Sequence, residues 1–399
     1  MEGFSASSSQ ACFSLRSRFG AQENRLTLAL AAQRRAGRVV LDLTEGNPTR
    51  VGLSPSHAEL APWLAHADVA HYTPDSFGLY AAREAVVQAL AERGLTAHAR
   101  DVMLTASTSE AYGSLLKLLC DPGDAVLVPA PSYPLFDVLA QLEQVRLVPY
   151  RLAYDGEWHL DAQALQAARD VRTRAVICVH PNNPTGSFLK RADLLSLASL
   201  GLPIISDEVF ADYALTDDPE RAASALELAD RALVFCLGGL SKACALPQLK
   251  LAWTVIAGPP ALAELARARL EHIADAYLSP GAAVQLALPA LLGARHATQE
   301  RIVARVRQNL ASLEQALSGS AASVLRVEGG WYAVVRLPLL RSDEEWALTL
   351  LELDGVLTQP GYYYELERGA YLVLSLIGDG EVTRQGVQRI AARVHELAG

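Results

Sequence analysis

"RAVICVHPNNPTG", residues 174–186, joins an unbroken apolar run to a tight turn built on Asn-Pro-Thr-Gly. A short continuous run of this kind suits a strand buried on both faces, as in a parallel sheet covered by helices. The same pattern recurs on either side. "DVMLTA" (101–106), "AVLVPAP" (125–131), "VRLVPYRL" (145–152), "PIISDEV" (203–209), "ALVFCLG" (232–238) and "LAWTVIAG" (251–258) complete a set of seven strand candidates. Helical stretches such as "SEAYGSLLKLLC" (109–120) and "LKRADLLSLASLG" (189–201) lie between them. Alternation of this kind predicts an α/β fold, with a mostly parallel seven-stranded sheet sandwiched by helices.

Ligands in such sheets bind beyond the carboxyl ends of the strands. Four of those ends carry unusual residues: "TASTSEAY" (105–112), "HPNNPTG" (180–186), "SDEVF" (206–210) and "GGLSK" (238–242). Each alone has a plainer reading, as helix caps, an ordinary turn, a structural aspartate or a glycine turn. Together they converge on one edge of one sheet. Within "GGLSKACALPQLKLAW" (238–253), Lys242 stands in apolar company. Desolvation lowers a lysine's pKa, and a neutral lysine is a nucleophile that forms imines. Read by itself, the stretch fits a surface lysine in a glycine turn equally well.

The chain of 399 residues is 51% hydrophobic and 20% charged, which implies a globular protein with a sizeable core. A net charge of −9 with no basic block argues against nucleic acid as a partner. Cys12, Cys120, Cys178, Cys236 and Cys244 show no C-x-x-C spacing and are odd in number, as expected of reduced thiols in a cytoplasmic protein. No apolar run reaches membrane-span length. "MEGFSASSSQACFSLRSRFG" (1–20) lacks the apolar centre of a secretory signal and reads as an arm.

Past residue 259 the pattern changes. Residues 260–318 are Ala/Leu/Arg-rich and helical; two strands, 325–338 and 370–378, then flank a helix near 343–353, and a last helix covers 386–398. The expected organisation is an arm with part of a small domain at 1–50, a large domain at 51–275 and a small α+β domain at 276–399, the smaller unit drawing on both chain ends.

The motifs "HPNNPTG", "DEVF" and "LSK", in this order and spacing, make the chain resemble the fold-type-I pyridoxal-phosphate enzymes, aminotransferase class I/II. The resemblance runs from "DLTEGNPT" (42–49) to the last strand. It implies pyridoxal 5'-phosphate as cofactor, held as an imine on Lys242, which also shuttles the proton. Asp207 would pair with the pyridine nitrogen, Asn183 would bond the ring oxygen O3′, and Tyr133 would stack on the ring. Thr108 and Ser109 would offer backbone N–H groups to the phosphate at a helix N-terminus. Tyr72 would reach the phosphate of a second subunit, which implies a homodimer with shared active sites. Gly46 would lie beside the substrate carboxylate.

Several positions depart from the family's pattern. Lys250 replaces an arginine on the phosphate, which keeps the charge and loses the bidentate fork. Gly239 replaces a hydroxyl residue, a loss for which Ser241 is the candidate replacement. Phe210 replaces a tyrosine that donates to O3′, with Tyr213 as an alternative donor. Val373 replaces the arginine that clamps the substrate's α-carboxylate. Arg368, in "QPGYYYELERGA" (359–370), is the best-placed substitute in sequence, followed by Arg336, Arg16 and Arg18. The leading expectation is amino-group transfer between an amino acid or amine and a keto acid. Elimination or replacement chemistry on the same cofactor is the alternative. A non-catalytic ligand-binding relative is disfavoured by the retention of both Lys242 and Asp207.

Overall fold

The computed structural model describes residues 13–19, 24–65 and 67–398. Cys12 and the first part of the arm lie outside them. Among the described residues the strands, in chain order, are β1 (Leu41–Asp42), β2 (Val102–Thr105), β3 (Ala125–Ala130), β4 (Arg146–Tyr154), β5 (Trp158–Leu160), β6 (Thr173–Val179) and β7 (Ile204–Asp207). They continue as β8 (Val234–Gly239), β9 (Ala252–Ala257), β10 (Ser323–Val324), β11 (Tyr332–Leu337), β12 (Val356–Leu357), β13 (Gln359–Pro360) and β14 (Ala370–Ser375).

The large sheet has the order β2-β9-β8-β7-β6-β3-β4-β5. All seven expected strands are in it. β5, three residues long, adds an eighth as the antiparallel return of a hairpin with β4. The central pairs β8/β7, β7/β6, β6/β3 and β3/β4 are parallel, and β9 runs antiparallel to both its neighbours. Alternate residues face opposite cores. Val126, Val128, Ala175, Ile177, Ile205 and Phe235 pack on one side under the helix Thr108–Leu119. Leu127, Val176, Cys178, Ile204, Val234 and Cys236 pack on the other. Burial of both faces is the physical source of the continuous apolar runs.

The second unit is a four-stranded antiparallel sheet, β10-β11-β14-β13, under the helices Arg295–Leu317, Asp343–Asp354 and Gly380–Ala398. The N-terminal segment joins it through β1, which pairs in parallel with β12, and through Leu26, Leu43 and Leu53. The expected boundary after residue 275 does not match the packing. It cuts the helix Pro260–Tyr277, and the next helix, Ala282–Gly293, buries Val284, Leu288, Leu291 and Leu292 in the large sheet's core. Among the described residues no helix is long and apolar enough to cross a membrane.

Candidate active site

β7 and β8 lie side by side, with Asp207 in register with Leu237, so their carboxyl ends deliver Asp207 and the Lys242 turn to one place. Lys242 sits in the four-residue helix Leu240–Ala243, whose first N–H donates to Leu251 (3.0 Å). Its Nζ lies 4.7 Å from the ring centre of Trp331 and 5.2 Å from that of Phe210. Burial brings its pKa down to about 8, against the pull of the Asp207 carboxylate. The opening alternative, a solvated lysine in a glycine turn, is not what the fold makes.

Burial pushes the Asp207 carboxyl up to about 6, while the Val209 N–H (3.2 Å), the Tyr112 hydroxyl (3.1 Å) and Lys242 favour its ionised form. Tyr112 projects from the first turns of the helix Thr108–Leu119, whose N-terminus faces the same end of the sheet. There Ser107 caps Glu110 N–H (3.2 Å) and Glu110 accepts from Ala106 N–H (2.8 Å). Thr108 and Ser109, in the first turn, have no intrahelical acceptor for their N–H groups.

The turn after β6 is held rigidly. Leu189 N–H donates to His180 Nδ1 (2.9 Å), so Nε2 carries the proton and donates to Ala222 O (3.0 Å). Asn182 spends its amide on Pro131 O and Thr185. The Asn183 carboxamide oxygen is buried without a hydrogen-bond partner. An orphan of that kind calls for a ligand, and a half-turn of the amide puts a donor at the same point. A pocket with a lysine of lowered pKa, a carboxylate, an unspent carboxamide and a helix N-terminus fits an aldehyde-bearing, phosphorylated heterocycle.

The remaining expected residues are spread around this centre. Ser241 is half-buried beside Lys242, and Lys250 is exposed, in a left-handed backbone conformation. Tyr133 is 46% exposed and within electrostatic reach of Tyr332 and Tyr364. Tyr72, 79% exposed, lines a surface cleft with Leu278 and Pro280. Gly46 lies against Tyr332: a Cβ there would sit 2.5 Å from the hydroxyl oxygen. Tyr213 is not free to replace the donor missing at Phe210, because its hydroxyl donates to the carbonyl of Lys242 itself. Arg368, Arg336, Arg16 and Arg18 are all exposed. The neighbour of Arg368, Glu367, pairs with Arg151 instead. Val373 is fully buried in one apolar cluster with Trp158, Val334, Tyr364 and Leu366, so no vacant slot exists there.

Sequence reading assigned no role to Tyr112, Trp331, Tyr332 or Glu328. Glu328 is 2% exposed, accepts from Phe188 N–H (2.9 Å) and Lys190 Nζ (3.1 Å), and thereby ties the turn after β6 to the segment that carries Trp331 into β11. Lys190 also pairs with Asp218. The backbones nearly touch here: a Cβ on Gly186 would lie 2.5 Å from Gly329 O. The "EGG" before Trp331 was the available signal.

Comparison with known proteins agrees with this geometry. The profile described as "Aminotransferase class I and II" matches residues 38–390. The chain is 27% identical over 376 residues to glutamate-pyruvate aminotransferase AlaA of Escherichia coli K12, covering 90% of this chain and 92% of that protein. It is 28% identical over 226 residues to human tyrosine aminotransferase, covering 55% and 49%. Among solved structures, the alanine aminotransferase from Pyrococcus furiosus superposes with a TM-score of 0.87 at 22% identity, covering 96% of this chain and all of that one. A Thermus thermophilus aspartate aminotransferase double mutant gives 0.81 at 22% identity, covering 98% and 100%. With the profile spanning nearly the whole sequence and the lysine and aspartate converging at adjacent strand ends, the chain belongs to the class I and II aminotransferases, a family that works with pyridoxal 5'-phosphate.

Proposed function

We propose that the protein transfers an amino group between an amino acid or amine and a keto acid, as a cytoplasmic homodimer. The observation that carries the reading is Lys242 Nζ, its pKa lowered to about 8 by burial at the strand end next to Asp207. Bound pyridoxal phosphate supplies an electron sink for the substrate's Cα. The residues do the rest. Lys242 Nζ, its pKa lowered to about 8, would hold the cofactor's aldehyde and is the group that would move the proton at the substrate's Cα. The Asp207 carboxylate, oriented by Tyr112, would keep the ring nitrogen protonated. The Asn183 carboxamide would serve the ring oxygen, and Tyr133 would cover the ring. The N–H groups of Thr108 and Ser109, with Ser241 and Lys250, would hold the phosphate. Phe210 and Trp331 exclude water from Nζ. Tyr72, standing out from the surface, is available to a second copy's phosphate.

Borohydride treatment of the holoenzyme should fix the cofactor on Lys242, as read by peptide mass spectrometry. In a separate, unreduced sample an amino donor should turn the bound cofactor into its pyridoxamine form, and a keto acid should reverse the change. Label on another lysine, or stoichiometric ammonia release in place of that reversal, would refute amino transfer.

A further inference from the structure

A helix of one turn leaves its last carbonyl groups without donors of its own. Leu240–Ala243 is such a helix, and it carries Lys242. Side chains from three other segments supply the donors. The Tyr213 hydroxyl donates to Lys242 O, Gln299 Nε2 to Ala243 O (3.0 Å) and Ser54 Oγ to Ala245 O (2.6 Å). The backbone donor Ala245 N–H reaches Lys242 O only at 3.3 Å.

Two of these contacts form a closed brace. Asp212 and Tyr213 are neighbours in the segment that follows β7 and its terminal Asp207. Gln299 gives its second N–H to Asp212 Oδ2 (2.9 Å). Both partners of this amide are acceptors only, which fixes the end that carries nitrogen. Tyr213 therefore holds Lys242 directly, and Asp212 holds Ala243 through Gln299. Tyr213 is fully buried and Gln299 is buried with it. Burial pushes the Tyr213 phenol well above its usual range, so it stays a donor at every working pH. Its ring also packs edge-on against Trp331, 5.1 Å between centres, and the Trp331 ring lies 4.7 Å from Lys242 Nζ.

The position of the brace gives it a use. The ladder between β7 and β8 runs up to Glu208 N–H on Leu237 O (2.9 Å). Lys242 lies five residues past that bond, where the ladder no longer sets its place against Asp207. Resting on the amino-transfer reading, we propose that Tyr213 and Gln299 are positioning residues for Lys242: they hold its main chain at a fixed reach from the Asp207 segment, so that Nζ is presented to the substrate's Cα.

The test compares three variants of the full chain, each lacking one buried donor. Tyr213→Phe and Gln299→Met remove the hydroxyl and the amide of the brace and keep most of the side-chain volume. Tyr150→Phe is the control: Tyr150 is fully buried and donates to Ile177 O (2.8 Å), a bond of the same kind elsewhere in the large sheet. The first reading is the pH midpoint at which Lys242 of the cofactor-free chain reacts with acetic anhydride, scored by peptide mass spectrometry. A loosened turn admits water to Nζ. The midpoint, about 8 in the parent, should therefore rise by about half a unit or more in both brace variants and stay in place in the control. The second reading is turnover of an amino donor by the holoenzyme. In the brace variants kcat should fall about tenfold or more, with KM held within about threefold. Brace variants that match the control in both readings overturn the proposal, and so does a rise in KM at unchanged kcat. A parent holoenzyme that turns over no amino donor removes the amino-transfer reading, and the labelling midpoint then decides on the brace alone.

Discussion

Replacing Lys242 with methionine should make the cofactor-free protein more stable at neutral pH. The ammonium is buried against Trp331 and Phe210, and burial lowers its pKa from 10.5 to about 8. That fall corresponds to about 3 kcal/mol of native-state cost whenever the group is charged. Methionine fills a similar volume and carries no charge. The contacts of the ammonium with the two rings are lost, which offsets about 1 kcal/mol, so the net gain at pH 7 is about 2 kcal/mol. The sign of the pH dependence follows from linkage. Between pH 8 and 10.5 the unfolded chain holds the lysine proton more than the folded one does, so parent stability rises across that window. Below pH 8 the cost is full; above 10.5 it is gone. The gain from Lys242→Met should therefore fall by about 3 kcal/mol across this window, from about 2 kcal/mol at pH 7 to about −1 kcal/mol at pH 10.5. Urea unfolding of both cofactor-free proteins at pH 7, 8.5 and 10 measures it, in a range where Asp207 stays ionised. A variant less stable than its parent at pH 7, or a gain that ignores pH, would refute the reasoning.

Four further outcomes are expected. Tyr112→Phe removes a donor that favours ionised Asp207, so the acid limb of the kcat/KM profile should move up by less than about one pH unit; an unmoved limb contradicts this. Glu328→Ala leaves Phe188 N–H without its acceptor and Lys190 with Asp218 as its remaining carboxylate, and should cost about 1–3 kcal/mol in urea unfolding. Glu328→Gln keeps an acceptor and should cost clearly less; equal losses would show that the charge is irrelevant. Gly46→Ala drives a methyl into the Tyr332 hydroxyl and should weaken donor binding about tenfold without altering borohydride labelling of Lys242. Arg368→Ala should leave the KM of carboxylate donors within about twofold, because the side chain is exposed; a tenfold rise would make it the anchor after all.

The strands were legible because burial of both faces leaves an unbroken apolar run, as in 174–179. β5 left no such trace: it is three residues long and pairs with its own hairpin partner. Helix 282–293 announces an apolar face but not which core that face joins, which explains the misplaced domain boundary. Asp207 and Lys242 could be read because strand ends in chain order fall on one edge. Tyr112 could not, since its partner Asp207 is 95 residues away, and Glu328 meets Lys190 across 138. Arg368 was chosen by proximity in sequence. It precedes Val373 by five residues, yet a left-handed turn leaves it exposed.

The small sheet is tied to the large domain along both of its edges. On the β10–β11 side, Leu215 N–H donates to Glu328 O and Gly330 N–H to Tyr213 O, both 2.9 Å. The β4–β5 hairpin adds to that side: Tyr154 accepts from Arg326 N–H (3.2 Å), Glu157 pairs with Arg326, and Trp158 packs with Leu325. On the β13 side, Ser132 N–H donates to Tyr364 O (3.0 Å), and Arg151 donates to Glu365 O (3.2 Å) and pairs with Glu367. A sheet fastened at one edge can swing about it; fastened at both, it has no free edge. Tyr364 therefore keeps station with Ser132 of the large domain, and a rotation of the small domain would have to break one row of these bonds first.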